Sequence, residues 1–277
     1  MDIKASVIIP SRDGYREGKV PKLLNSLKEQ TFQDFEVHLV KGESRQGRAI
    51  NKGARLAKGG ILIILDDDAQ LGSRDIFMNI VRALDRDKTI GMAGVSIIAS
   101  PDASDFQKRL TKEIPRTYFP VVEKITDSDM AQHGCCAIPK KVFFDVGQED
   151  ESMMRGLDPL LRYKIRKAGY RVVIVPDSWI YHTIADNYKQ LVRKMFRNGI
   201  QAYWTYSIRP EAVIETPEDG APGRGFSAKR PRAYRAIRSL ARLILSLFTF
   251  RLLAFSARVS YMSGYLYAML LKRSMPA

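Results

Sequence analysis

Short runs rich in Val and Ile, at residues 6–9, 36–40, 61–65, 94–98, 136–138 and 171–175, alternate with longer segments in which apolar residues return at helical spacing. The runs are too short for helices and too apolar to be solvated on either side, so they read as strands buried on both faces. Segments 21–29, 47–57 and 74–84 place apolar side chains on one helical face, as in Ile76, Phe77, Ile80, Val81 and Leu84. Alternation of this kind builds a mostly parallel sheet flanked by helices, a three-layer α/β fold. At 277 residues the chain is long enough for one such domain with an appendage.

Charge separates body from appendage. The chain carries a net +15, yet residues 229–277 hold ten Lys or Arg and no Asp or Glu, so residues 1–228 carry only +5. Between the two, 216–232 is rich in Pro and Gly (Pro217, Gly220, Pro222, Gly223, Gly225, Pro231) and reads as a linker. The expected organisation is therefore a domain at 1–215, a linker at 216–232 and a basic, apolar helical tail at 233–277. The two cysteines, Cys135 and Cys136, are adjacent, which argues against a structural disulfide and for core packing in a reducing compartment. The start, with charges at Asp2 and Lys4 and a short apolar run before Pro10, lacks the apolar core of a secretory signal.

Three strings could carry chemistry. The first is the apolar run 61–65 ending in Asp66, Asp67 and Asp68. Three carboxylates at a strand end repel one another, and a hard divalent cation, Mg²⁺ or Mn²⁺, would remove that cost at the edge where open α/β sheets bind ligands. A solvated acidic turn is the plainer alternative. The second is Asp158-Pro159 heading a helical segment that ends at Gly169. Asp158 reads as an N-cap with Pro159 at the first helical position, and equally as a carboxylate able to take a proton from a substrate hydroxyl. The third is His182 after the run through Pro176; with His38 and His133 the only others, no paired-histidine zinc site is available.

Taken in order, Ser6-Val-Ile-Ile-Pro10, Asn51-Lys-Gly-Ala-Arg, Leu65-Asp66-Asp67-Asp68 and Gly169-Tyr170-Arg171 through Pro176 to His182 resemble the family 2 glycosyltransferases of the GT-A fold, over about residues 4–200. The resemblance implies a Rossmann-like sheet and a nucleotide-sugar donor of UDP, GDP or dTDP type lying against Pro10, Ser11, Arg12, Glu43, Asn51, Asp66 and Asp67. It implies Mg²⁺ or Mn²⁺ at the DXD carboxylates Asp66 and Asp68 with His182 alongside, and Asp158 as the base of an inverting hexosyl transfer. The chain departs from the family pattern at Lys41, where an acid usually reads the base, and at Leu157, where a Glu usually precedes Asp158. The Gln-x-x-Arg-Trp signature of processive members is absent, the nearest text being Gln201-Ala-Tyr-Trp204, which favours addition of a single sugar. The segment 130–150 falls where the family places its acceptor.

In the tail, Arg235, Arg238 and Arg242 share one helical face, while uncharged stretches end at Arg251 or Arg258 before the ~18–20 residues a spanning helix needs. A helix lying on the anionic, cytoplasmic face of a membrane is the expectation, with a polyprenyl- or other lipid-linked acceptor or cell-envelope precursor. Packing on the body, or on a second copy in a homo-oligomer, is the alternative. A nucleic-acid partner is not expected, because the charge comes without a recognisable binding motif. A sugar nucleotidyltransferase is the rival enzyme, and the chain shows no Gly-rich, basic phosphate loop after the first strand to favour it.

Overall fold

The computed structural model describes residues 3–114, 119–182, 185–209 and 232–271. They fall into two compact units, one of residues 3–98 and 119–182 and the other of 99–114, 185–209 and 232–271. Residues 185–209, placed with the domain by the sequence, thus group with the tail. The expected linker lies outside the described residues except for Arg232, which begins a helix.

The first unit is an eight-stranded sheet. Its strands are β1 (Ala5–Ser11), β2 (Phe35–Lys41), β3 (Ile61–Leu65), β4 (Gln70–Leu71), β5 (Ile90–Ile98), β6 (Thr126–Asp127), β7 (Cys135–Pro139) and β8 (Arg171–Tyr181). The order is β2-β1-β3-β7-β5-β8-β4, with β6 also paired to β8. The expectation of a mostly parallel sheet is corrected here: β1–β2, β1–β3 and β5–β8 are parallel, but β7 runs antiparallel to both β3 and β5, and β4 and β6 run antiparallel to β8. Hydrophobic runs report burial on two faces and carry no information on direction, so the reversal of β7 is invisible in them.

Both faces are covered. Val7, Ile9, Ile63 and Leu65 pack under α1 (Lys19–Lys28) and α3 (Ile76–Arg86), while Ile8, Leu62 and Ile64 pack under α2 (Gln46–Leu56), α5 (Lys140–Asp145) and α6 (Leu157–Lys167). Cys135 and Cys136 are buried free thiols on opposite faces of β7, in keeping with the packing role expected. Gly53 lets α2 lie close on β1: a Cβ there would stand 2.5 Å from Ile8 Cγ2. Helix α6 ends as the sequence indicates, with Gly169 left-handed (φ +88°) and paired bonds from Gly169 N–H to Arg166 O and Tyr170 N–H to Ile165 O. Its start differs. Gly156 occupies the N-cap, so Asp158 sits inside the first turn and caps no backbone group of that helix.

The second unit contains α4 (Asp105–Glu113), α7 (Tyr188–Ile208), α8 (Arg232–Phe248) and α9 (Leu252–Leu271). Ser104 and Gln107 form a capping box at α4. Helix α9 turns Ala254, Ala257, Ser260, Gly264 and Ala268 inward, and Gly199 and Gly264 mark its crossing with α7, where a Cβ on either would meet backbone at 2.0 Å. The Glu113 carboxylate receives the free N–H groups of Leu253 and Ala254 at the start of α9, 2.7 and 3.0 Å away. No helix among the described residues is long and apolar enough to cross a membrane.

At the start of the sheet, Glu36 on β2 accepts hydrogen bonds from the hydroxyl of its register partner Ser6 and from Lys58 N–H, and His38 lies 3.1 Å away; Ser6 in turn accepts from Gly59 N–H. Burial pushes the Glu36 carboxyl up, but the Lys58 N–H, Ser6 and His38 outweigh it and hold it at about 2. A carboxylate depressed on folding stabilises fully above its unfolded value near 4.5 and loses that contribution as pH falls towards 2. Glu36→Gln should therefore cost about 1–2 kcal/mol at pH 7, and chemical denaturation at pH 7, 4 and 2.5 should show the gap to wild type closing in acid.

Candidate active site

Strand β3 delivers three carboxylates to the carboxyl end of the sheet. Asp67 is buried, while Asp66 and Asp68 are half-buried. Asp66 accepts a hydrogen bond from Gln46 Nε2 (2.7 Å) at the first turn of α2, and its own N–H donates to His133 O (3.1 Å). Burial pushes the Asp66 carboxyl up to about 7; His133 opposes this, and Asp158, Asp68 and Asp67 add to it. The loop after β1 brings Arg16 to 2.9 Å from Asp68 Oδ2 and 3.5 Å from Asp67 Oδ1.

Asp158 faces the same group from the first turn of α6. Its Oδ1 accepts the His133 N–H at 2.6 Å, and its side chain is 30% exposed. The His133 imidazole is buried, with Nε2 2.9 Å from Glu149 Oε1 and Nδ1 3.3 Å from Asp158 Oδ1, contacts at ion-pair distance without hydrogen-bond alignment. Burial alone would lower its pKa, but Asp158 and Glu149, followed by Asp66, raise it to about 9, so the ring is a cation at neutral pH. Behind it, buried Arg162 donates to Ala131 O, one turn along α6 from Asp158.

His182 ends β8. Gln70 pairs with Tyr181 in antiparallel register, so the residue before His182 lies beside the short strand that follows Asp66–Asp68. The third string of the sequence therefore reaches the first through the short strand β4. Among the described residues no three His, Cys, Asp or Glu side chains converge closely enough to hold an ion by themselves. Asp66 and Asp68 could offer a hard divalent ion one carboxylate oxygen each, which would leave its remaining positions to donors from outside the protein.

The expected donor residues divide. Pro10 and Ser11 are buried at the end of β1, where Ser11 Oγ accepts Gly14 N–H, and Arg12, exposed, accepts Gly42 N–H at its carbonyl. These stand beside Asp66 and Asp67 at the carboxyl edge of neighbouring strands. Glu43 pairs with Lys52 on α2 (3.1 Å). Asn51 is buried and its amide is taken up by Glu149 N–H, Glu149 O and Glu151 Oε1, so it holds the 149–151 loop in place. The sequence singled out neither Arg16 nor Gln46, and it placed His133 and Glu149 within the acceptor segment 130–150, with Glu149 in an acidic turn, without giving either a role. The local signal for His133 is its position immediately before Gly134 and the cysteines of β7.

Comparison with known proteins completes the picture. No curated protein matches the chain. Among solved structures, the mannosyltransferase PcManGT from Pyrobaculum calidifontis, in complex with GDP-Man and Mn²⁺, superposes with a TM-score of 0.63 over 98% of this chain and 88% of that one, at 16% identity. GalNAc-T7 with UDP, GalNAc and Mn²⁺ aligns at a TM-score of 0.44 and 16% identity, over 76% of this chain and 51% of that one. The mixed sheet with flanking helices is that of the GT-A fold. The model of the glycosyltransferase-like family 2 domain matches residues 7–200, which takes in the sheet, the Asp66–Asp68 strand end, Asp158 and His182, and the chain belongs to that family.

Proposed function

We propose that this glycosyltransferase moves a single hexose, with inversion, from a nucleoside-diphosphate sugar to a hydroxyl on a lipid-linked or cell-envelope acceptor, using Mg²⁺ or Mn²⁺. One observation carries the reading. The backbone of His133 accepts from Asp66 N–H and donates to Asp158 Oδ1, so a single residue fixes the distance between the carboxylates facing the donor and the carboxylate facing the acceptor. Fixed geometry of that kind is what a one-step displacement requires of its protein.

Asp158 is the base. It is partly exposed, and one of its oxygens is occupied by His133 N–H, so the acceptor hydroxyl proton goes to the carboxylate as the oxygen attacks the anomeric carbon on the face opposite the leaving diphosphate. The imidazole of His133, held at 2.9 Å from Glu149 Oε1, lies 3.3 Å from Asp158 Oδ1 and helps to fix its position. Gln46 orients Asp66. When bound at Asp66 and Asp68, with His182 alongside, the divalent ion supplies positive charge against the leaving diphosphate. The solved complex of PcManGT with GDP-Man and Mn²⁺ is in keeping with this donor class.

The tail gives the enzyme its place, which we take to be the cytoplasmic face of a membrane. Helix α8 leaves Ile237, Leu240, Ile244, Leu247 and Phe248 between 48% and 75% exposed, and its amphipathic pattern suits the interface plane.

Three outcomes test this reading. Asp158→Asn keeps an oxygen for the His133 N–H and removes the base, so turnover should fall by roughly 10²–10⁴ with little change in melting temperature; retained turnover would dismiss Asp158 as the base. Asp68→Asn should abolish the Mn²⁺-dependent part of UDP, GDP or dTDP binding by calorimetry, and binding that ignores chelator would remove the metal from the mechanism. The full-length protein should sediment with anionic liposomes, weakening as salt rises from 0.1 to 1 M and the Debye length contracts from about 10 to about 3 Å. Leu247→Glu with Phe248→Glu should leave it in the supernatant; sedimentation unaffected by the double change would show that α8 does not make the contact.

A further inference from the structure

The segment after β1 is wound in an unusual way. Asp13 Oδ1 accepts the N–H groups of both Tyr15 and Arg16, at 2.8 and 2.9 Å, and the next three residues are all left-handed: Arg16 at φ 47°, Glu17 at 55° and Gly18 at 82°. Left-handed backbone costs any residue with a Cβ, and two in succession persist only where surrounding contacts hold them. Burial does not do so here, since Tyr15 is 60% exposed and the Arg16 side chain 50% exposed. Backbone hydrogen bonds from the Gly18 and Val20 N–H groups to Tyr15 O and from Lys19 N–H to Arg16 O close the turn, and it brings the Arg16 guanidinium to Asp68 Oδ2 and Asp67 Oδ1.

We propose that Arg16 is a placeholder cation, neutralising Asp67 and Asp68 until a divalent ion takes Asp68, and that its released guanidinium then binds the donor's diphosphate. The inference rests on the metal-and-donor reading above and concerns a residue that reading does not use. A guanidinium cannot be deprotonated at any working pH, so competition with a metal ion for the same carboxylate ends only by displacement. Metal alone must then displace a cation and gains little. Metal arriving with a diphosphate brings enough negative charge to hold both cations, and the planar fork of Arg16 matches two phosphate oxygens. The Asp13 hydrogen bonds pin the backbone at the root of the side chain, so the exchange requires rotation of one side chain and leaves the loop in place. The consequence is synergy: the site binds metal and diphosphate together far better than either alone.

The test uses the full-length protein, with Mn²⁺ alone and then inorganic pyrophosphate at saturating Mn²⁺ as probes, followed by electron paramagnetic resonance and calorimetry. Arg16→Gln should bind Mn²⁺ alone about three- to tenfold more tightly than wild type and pyrophosphate about tenfold more weakly. Arg16→Lys keeps the charge without the fork, so it should retain wild-type Mn²⁺ affinity and share the loss towards pyrophosphate. Unchanged or weaker Mn²⁺ binding by Arg16→Gln overturns the placeholder role, and unchanged pyrophosphate binding overturns the second role. Asp68→Asn separates the two levels of argument: if it loses Mn²⁺ binding while Arg16→Gln gains none, the placeholder alone fails. If Asp68→Asn binds Mn²⁺ like wild type, the metal reading fails and the placeholder falls with it.

Discussion

Crowded negative charge governs the architecture of this site. Asp66, Asp67 and Asp68 leave β3 together, and Glu149 and Asp158 approach from two other segments, so five carboxylates gather where the solvent that would screen them is partly excluded. Such a cluster stands only if cations are built into it. Among the described residues these include His133 and Arg16, with buried Arg162 behind His133. His133 lies within the fold, charged because Asp158 and Glu149 outweigh its burial, and Arg16 lies at the rim on a strained turn. The inner cation is enclosed by the fold and the outer one stands at the rim with half its side chain exposed, so the cluster is compensated both from within and from its open edge.

The neighbouring strands explain why these groups meet. β7 runs antiparallel between β3 and β5, so the residues that lead into β7 arrive at the same edge at which β3 ends. His133 therefore comes directly against Asp66, and its backbone spans to α6 and Asp158. Had β7 run parallel to β3 and β5, the strands it lies between, its leading residues would lie at the far edge and no such bridge would form.

The second unit follows a different logic. α9 offers small residues to α7, where two glycines permit backbone contact, and Glu113 satisfies the donors at its start. Its sequence is apolar around much of the circumference, so no single stripe marks the packed side, and small residues rather than large ones define it. In α8 large aliphatic residues remain exposed among arginines, and on the outer side of α9 Leu252, Leu266, Leu270 and Leu271 do so as well.

Much of this was legible in the chain. The buried strands and covering helices followed from period and from Val and Ile content, because burial on two faces leaves a mark on every residue of a strand. Asp66–Asp68 stood out for the same reason, as charge abutting an apolar run, and Gly169 marked the end of α6 because a left-handed residue favours glycine. Asp158 was legible as a residue of interest, but its place inside the first turn was not, since Pro159 suits several early helical positions. Strand direction, the meeting of His133 with Glu149 and Asp158, and the reach of Arg16 to Asp67 and Asp68 were decided by tertiary structure alone. Each joins residues far apart in the chain through geometry set by β7, β4 and the turn after β1, and no local pattern records a contact made across that distance. The sequence by itself determined which segments are buried and where negative charge is concentrated; the fold determined which cations answer it, because charge compensation depends on distance in space.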